Sequence, residues 1–179
     1  MKISTYITIA FVLFFFGIIT ALHIDSKRYE PDYKIIQEIR SEAYKVVRSN
    51  KLEELDVEKW NNYISKADKF FSLEKVFPYE INSSAWFVYG NYKKYNDLEA
   101  LNLAKSWCEK AYKVQPESLY ITDTFACILF DLGYIERAVE LETFAVKKAI
   151  EEKHHLLKWY KPRLEKFEKA LQEQTSKEQ

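Results

Sequence analysis

Asn82-Ser-Ser-Ala85-Trp86-Phe-Val-Tyr89, followed by Ala104-Lys-Ser-Trp-Cys108-Glu-Lys-Ala111-Tyr112, has a partner further along the chain. The partner is Asp123-Thr-Phe-Ala126-Cys-Ile-Leu-Phe130-Asp-Leu132-Gly133, followed by Ala138-Val-Glu-Leu141-Glu-Thr-Phe-Ala145-Val146. Ala104 and Ala138 lie 34 residues apart, and so do Ala111 and Ala145. Ala85 and Ala126 lie 41 apart, so the first copy carries seven extra residues, which are expected in a long loop at Tyr92–Asn96. Each copy alternates an apolar helical face with small residues at matched places, which predicts two helical hairpins. The alanines mean something physical. Two helices approach closely only where one lacks a bulky side chain, so the alanines mark the crossing points.

On Ala126, Leu132-Gly133, Ala138 and Ala145, and on Pro116 closing the first copy, residues 79–153 resemble two tetratricopeptide (TPR) repeats. The chain departs from the pattern at Ile135, where a tyrosine is usual, and at Ile150, where a proline is. The Asn-x-x-Ala-Trp and Asp-Thr-x-Ala patterns also resemble the helical domain that follows thioredoxin modules in some bacterial envelope proteins. The resemblance implies a protein- or peptide-binding groove lined by the first helix of each pair. Position by position, it implies Asn82, Trp86 and Tyr89 from the first unit. From the second it implies Tyr120, Asp123, Cys127, Phe130 and Asp131. Whether this face is an open groove, or is covered by the preceding helices and the last helix, stays open at this level. Basic residues that clamp a C-terminal carboxylate are absent from these positions.

Outward from the repeats, the chain predicts an all-α protein of about seven helices arranged as an antiparallel hairpin array. With 179 residues, including only three glycines and four prolines, a sheet with many tight turns is excluded. Residues 32–78 predict a further hairpin, a degenerate repeat by position, since two units alone make a thin core. Its first helix carries Ile36, Ile39, Ala43, Val46 and Val47 on one face, with Pro31 in its first turn. Its second, to about Val76, is capped by Asp56 and carries Trp60, Tyr63, Ile64, Ala67, Phe70 and Phe71. Phe77-Pro78-Tyr79 ends it, and Asn82 opens the next helix, with Asn82-Ser-Ser84 as capping residues. Asn96 with Glu99 forms a capping box. Residues 154–173 predict a capping helix with Leu156, Tyr160, Leu164, Phe167 and Leu171 inward and a kink or restart at Pro162. Residues 174–179 form a frayed tail.

At the other end, Tyr6–Leu22 is almost wholly apolar, and no formal charge falls between Lys2 and Asp25. About 20 such residues span a hydrocarbon core. An uncleaved single-span anchor over residues 1–24 is expected, with residues 25–31 as linker; a cleaved signal peptide is the competing reading. A short N-terminus ahead of a large domain usually exports that domain, so an inner (cytoplasmic) membrane location with the domain in the periplasm is expected.

Lysine plus arginine and aspartate plus glutamate balance at 27 each, so no basic surface for nucleic acid is expected. No phosphate loop, zinc-protease motif or nucleophile elbow occurs. His154 and His155 are adjacent, and on a helix they diverge too far to share a metal. Cys108 and Cys127 have no C-x-x-C spacing; a disulfide between them is the oxidised alternative to two buried thiols. No catalytic residue, metal or cofactor is expected. Three readings follow. The first is a membrane-anchored adaptor with a protein or peptide partner. The second is an assembly subunit of a membrane complex, paired through Ile36, Ile39, Ala43 and Val47. The third is an accessory domain of a thioredoxin-type system.

Overall fold

The computed structural model describes residues 32–47, 56–73 and 77–177, and every regular element in them is an α-helix. The expected span at 1–24, the linker at 25–31 and Pro31 lie outside the described residues. Among the described residues, no helix is long and apolar enough to cross a membrane. The chain divides between Ser41 and Glu42. Of the first part, residues 32–41 are described and all are helical; they begin α1, which covers residues 32–47. On α1, Ile36, Ile39 and Val46 are buried, Ala43 is half-buried and Val47 is exposed.

From Glu42 onward the helices pack in chain order. Glu42 is buried and accepts from Lys66 Nζ at 2.9 Å, Lys45 Nζ at 3.0 Å and Asn62 Nδ2 at 3.0 Å. Lys66 above all holds its carboxyl below the usual range. α2 is Val57–Phe71, and Asp56 caps it by accepting from the Lys59 amide at 2.9 Å. Trp60, Tyr63, Ala67, Phe70 and Phe71 recur every three or four positions and are buried, while Ile64 is half-buried.

α3 is Pro78–Tyr95 and α4 is Leu98–Val114. α3 starts one turn before Asn82, because Pro78 fits the first helical position, where its missing N–H costs nothing. Asn82, Ser83 and Ser84 therefore lie inside the helix and are not its caps. The long loop expected at Tyr92–Asn96 does not exist either. The seven extra residues add about two helical turns, so the inward face keeps its register. Within that extension Tyr92 is buried, and Tyr95 stacks on Trp60 with ring centroids 4.5 Å apart. The capping box is corrected as well. Asn96 takes the left-handed conformation (φ 51°) and ends α3, while Asp97 Oδ1 accepts from the Ala100 amide at 2.8 Å and caps α4.

α5 is Leu119–Asp131 and α6 is Ile135–Glu151, with Gly133 (φ 86°) in the left-handed turn between them. α7 is Leu157–Thr175; it continues unbroken through Pro162, so the helix does not restart there. Its start is delayed because Lys153 turns to positive φ and His154 N bonds back to Ala149 O at 2.8 Å. His154 and His155 thus lie in a turn rather than on a helix, and their rings stack 4.6 Å apart.

Turns of two or three residues make α3–α4 and α5–α6 antiparallel hairpins. α7 packs on α6, and α5 touches α3, α4 and α6. Ala85, Ala104, Ala111, Ala126, Ala138 and Ala145 are all completely buried, as crossing points require. α5 is the central helix: its residues from Ile121 to Leu129 are buried without a break.

Candidate functional site

The inward face of a helix in an array should be apolar, yet three charged residues occupy inward positions here. Asp123 is on α5, Glu142 sits between Ala138 and Ala145 on α6, and Arg163 sits between Tyr160 and Phe167 on α7. They meet. Arg163 Nη1 donates to Asp123 Oδ1. Glu142 is 0 % exposed, and as a carboxylate neither of its oxygens would find a donor among the described residues. As an acid it donates to Asp123 instead, which is the state burial imposes. Burial first, and the Asp123 charge second, push its carboxyl up to about 9. Burial also raises Asp123, and Arg163 offsets only part of that rise. Burial opposes the charge on Arg163, but Asp123 more than compensates, so the guanidinium stays charged. The cluster is therefore a carboxyl, a carboxylate and one guanidinium.

Asp123 and Arg163 of this cluster line a cleft of about 580 Å³ between α3, α5 and the start of α7, while Glu142 does not reach its lining. Its walls are aromatic and open to solvent: Trp86 is 40 % exposed, Tyr120 46 % and Trp159 57 %. The Arg163 guanidinium lies 5.2 Å from the centre of the Trp86 ring. Tyr160 also lines the cleft; it is 1 % exposed, and its hydroxyl has no partner among the described residues. Asn82 is half-buried and also lines the cleft, and its buried Oδ1 has no partner among the described residues.

The eight residues expected along the groove are divided by the structure. Asn82, Trp86, Tyr120 and Asp123 line the cleft. Tyr89, Cys127, Phe130 and Asp131 do not. Tyr89 is half-buried beside Trp86, with ring centroids 5.3 Å apart. Cys127 is buried, and burial pushes its thiol far up, as it does for Cys108; both are free thiols, so no disulfide joins them. Phe130 stacks on Phe167 of α7 at 4.2 Å. Asp131 accepts from the Tyr92 hydroxyl at 2.7 Å and from Lys93 Nζ at 2.8 Å. α7 thus covers one end of the inward face and leaves the other open.

Sequence reasoning missed Trp159, Arg163 and Glu142. A signal was present for two of them: a charge at an inward-facing position of an otherwise apolar stripe. Trp159 left none, because it lies beside the stripe rather than on it. Among the described residues, no group of three or more His, Cys, Asp or Glu is placed to hold a metal. A scan of known protein families, a search of curated proteins and a search of solved structures each find no match.

Proposed function

We propose that this chain is a membrane-anchored, TPR-like protein–protein interaction module without catalytic activity, which receives a segment of a partner protein in the α3–α5–α7 cleft. One observation carries the reading: Trp86, Tyr120 and Trp159 stand half-exposed around a polar floor that includes Asp123 and Arg163. Large rigid aromatics around a pocket supply burial area at low entropic cost, and the buried polar atoms beneath them set register. The paired helical hairpins with buried alanines at the matched positions support the TPR-like reading. The uncharged apolar stretch at Tyr6–Leu22 supports the anchor, with the helical part on the periplasmic side of an inner membrane.

The test is capture of the full-length chain from gently solubilised membranes, beside a Trp86→Ala, Trp159→Ala variant. Both side chains are substantially exposed, so the variant should melt within a few degrees of the parent. A stoichiometric partner lost from the variant supports the module. A partner retained by the variant removes the cleft from the reading.

A further inference from the structure

We infer that the cleft accepts a lysine side chain of the partner segment, its ammonium group bound at Asp123, Asn82 and Tyr160 between the rings of Trp86 and Trp159. This inference rests on the interaction-module reading above and identifies what that site recognises.

The charge count comes first. Two buried carboxyl groups face one half-buried guanidinium, so one positive charge is missing from a fully ionised cluster. At present a proton on Glu142 fills that place. Hydrogen bonding points the same way. Of the buried polar atoms without a partner among the described residues, Asn82 Oδ1 can only accept, and the Tyr160 hydroxyl can do either. Asn82 and Tyr160 line the cleft. Unused acceptors around a pocket call for a donor, and an ammonium group brings three with no acceptor of its own. The aromatic walls also suit a cation. Indole faces are the best aromatic surface for a cation, and their flat sides pack the methylene stem of lysine. Arg163 already uses the Trp86 face in this way, which shows the wall is suited to a cation.

The charged and titratable groups that face the cluster are few. α5 contributes Tyr120, Asp123 and Cys127, α6 Glu142, α7 Tyr160 and Arg163, and α3 Tyr89. Of these, only Glu142 holds a proton that a second cation would expel near neutral pH. Binding then exchanges charge for charge: the ammonium enters as R–NH3⁺, Glu142 releases H⁺ to solvent, and two carboxylates face two cations. An anionic ligand would do the opposite, taking Arg163 from Asp123 and drawing a proton in.

The experiment titrates the full-length chain in detergent with capped pentapeptides that differ only at the centre: lysine, norleucine or glutamate. Binding is followed by tryptophan fluorescence. Proton exchange is read by calorimetry at pH 7.5 in two buffers of different ionisation enthalpy. The lysine peptide should bind at least about tenfold more tightly than norleucine and release close to one proton per site. Glu142→Gln should abolish that release and weaken lysine binding about tenfold. Because Glu142→Gln keeps a donor toward Asp123, its melting curve checks that the fold is intact. Asp123→Asn provides a second variant with the same expected loss of affinity. Equal binding of norleucine, preferential binding of glutamate with proton uptake, or no binding of any peptide overturns the inference. If a partner is nevertheless captured and lost with Trp86 and Trp159, the module reading survives and only its lysine specificity fails.

Discussion

The two ends of the helical array solve the same problem differently. Where α2 meets α3 and α4, the buried side-chain polar atoms of the described residues have partners. Trp60 Nε1 donates to Asp97 Oδ2 at 2.7 Å, and Trp107 Nε1 donates to Asp68 Oδ1 at 3.0 Å. Lys110 Nζ closes the end of α2 by donating to the Phe71 and Ser72 carbonyls. Where α7 meets α5 and α6, the Tyr160 hydroxyl is buried without a partner among the described residues, and the Glu142 carboxyl is held in its neutral form. A satisfied contact has nothing left to offer a ligand. An unsatisfied one stores an energetic cost that a ligand can relieve. The first end is built for stability, and the second bears the features of a site.

The sharpest way to break the comparison is Trp107→Ala. It removes a fully buried indole, its contact with Phe71 at 5.4 Å between ring centroids and the hydrogen bond to Asp68. Denaturant unfolding should show a loss of about 3–5 kcal/mol. Arg163→Ala should come next, at about 3 kcal/mol, because it leaves Asp123 buried without its counter-charge. Loss there should be smaller at pH 5 than at pH 8, since Asp123 can take up a proton to replace the lost cation.

Glu142→Gln should act through pH rather than through packing. Between the ordinary carboxyl value of 4.5 and about 9, the folded chain keeps a proton that the unfolded chain has released. Stability of the parent should therefore fall as pH rises through that window, by about 1 kcal/mol per unit at the steepest. In the glutamine variant that slope should disappear, leaving it the more stable protein at pH 8. A melting series from pH 5 to pH 9 checks both. The smallest effect belongs to Trp159→Ala. That side chain is exposed, so its loss should change stability by under about 0.5 kcal/mol while removing a wall of the cleft. Equal destabilisation by Trp107→Ala and Trp159→Ala would erase the distinction between the two ends.

Much of the helical layout was legible because helices announce themselves locally. Asp56 before an apolar stripe, Gly133 after one, and alanines repeating at 34 residues each have a short-range cause. The errors were local too, but ambiguous. Seven inserted residues fit a loop or two helical turns equally well, and Trp60, far away in sequence, supplies the ring on which Tyr95 stacks. Asn96 and Asp97 can both cap, and the left-handed turn at Asn96 assigns the role to Asp97. At the site, half of the expected residues line the cleft because α5 and α3 present them together. The other half do not, because Phe167 lies over Phe130 and that contact depends on where α7 comes to rest.

By itself the sequence determined the helical class, the hairpin spacing, the small-residue crossings and an inward face rich in aromatics. All of these follow from periodicity and residue size within one or two turns. The packing of α5, α6 and α7 is what brings Asp123, Glu142 and the half-buried Arg163 into one cluster, and it sets α7 to close one end of the face while leaving a cleft at the other. Arg163 and Asp123 are 40 residues apart, and no local rule connects them. Their pairing follows from burial, which leaves a charge no stable place except beside its opposite.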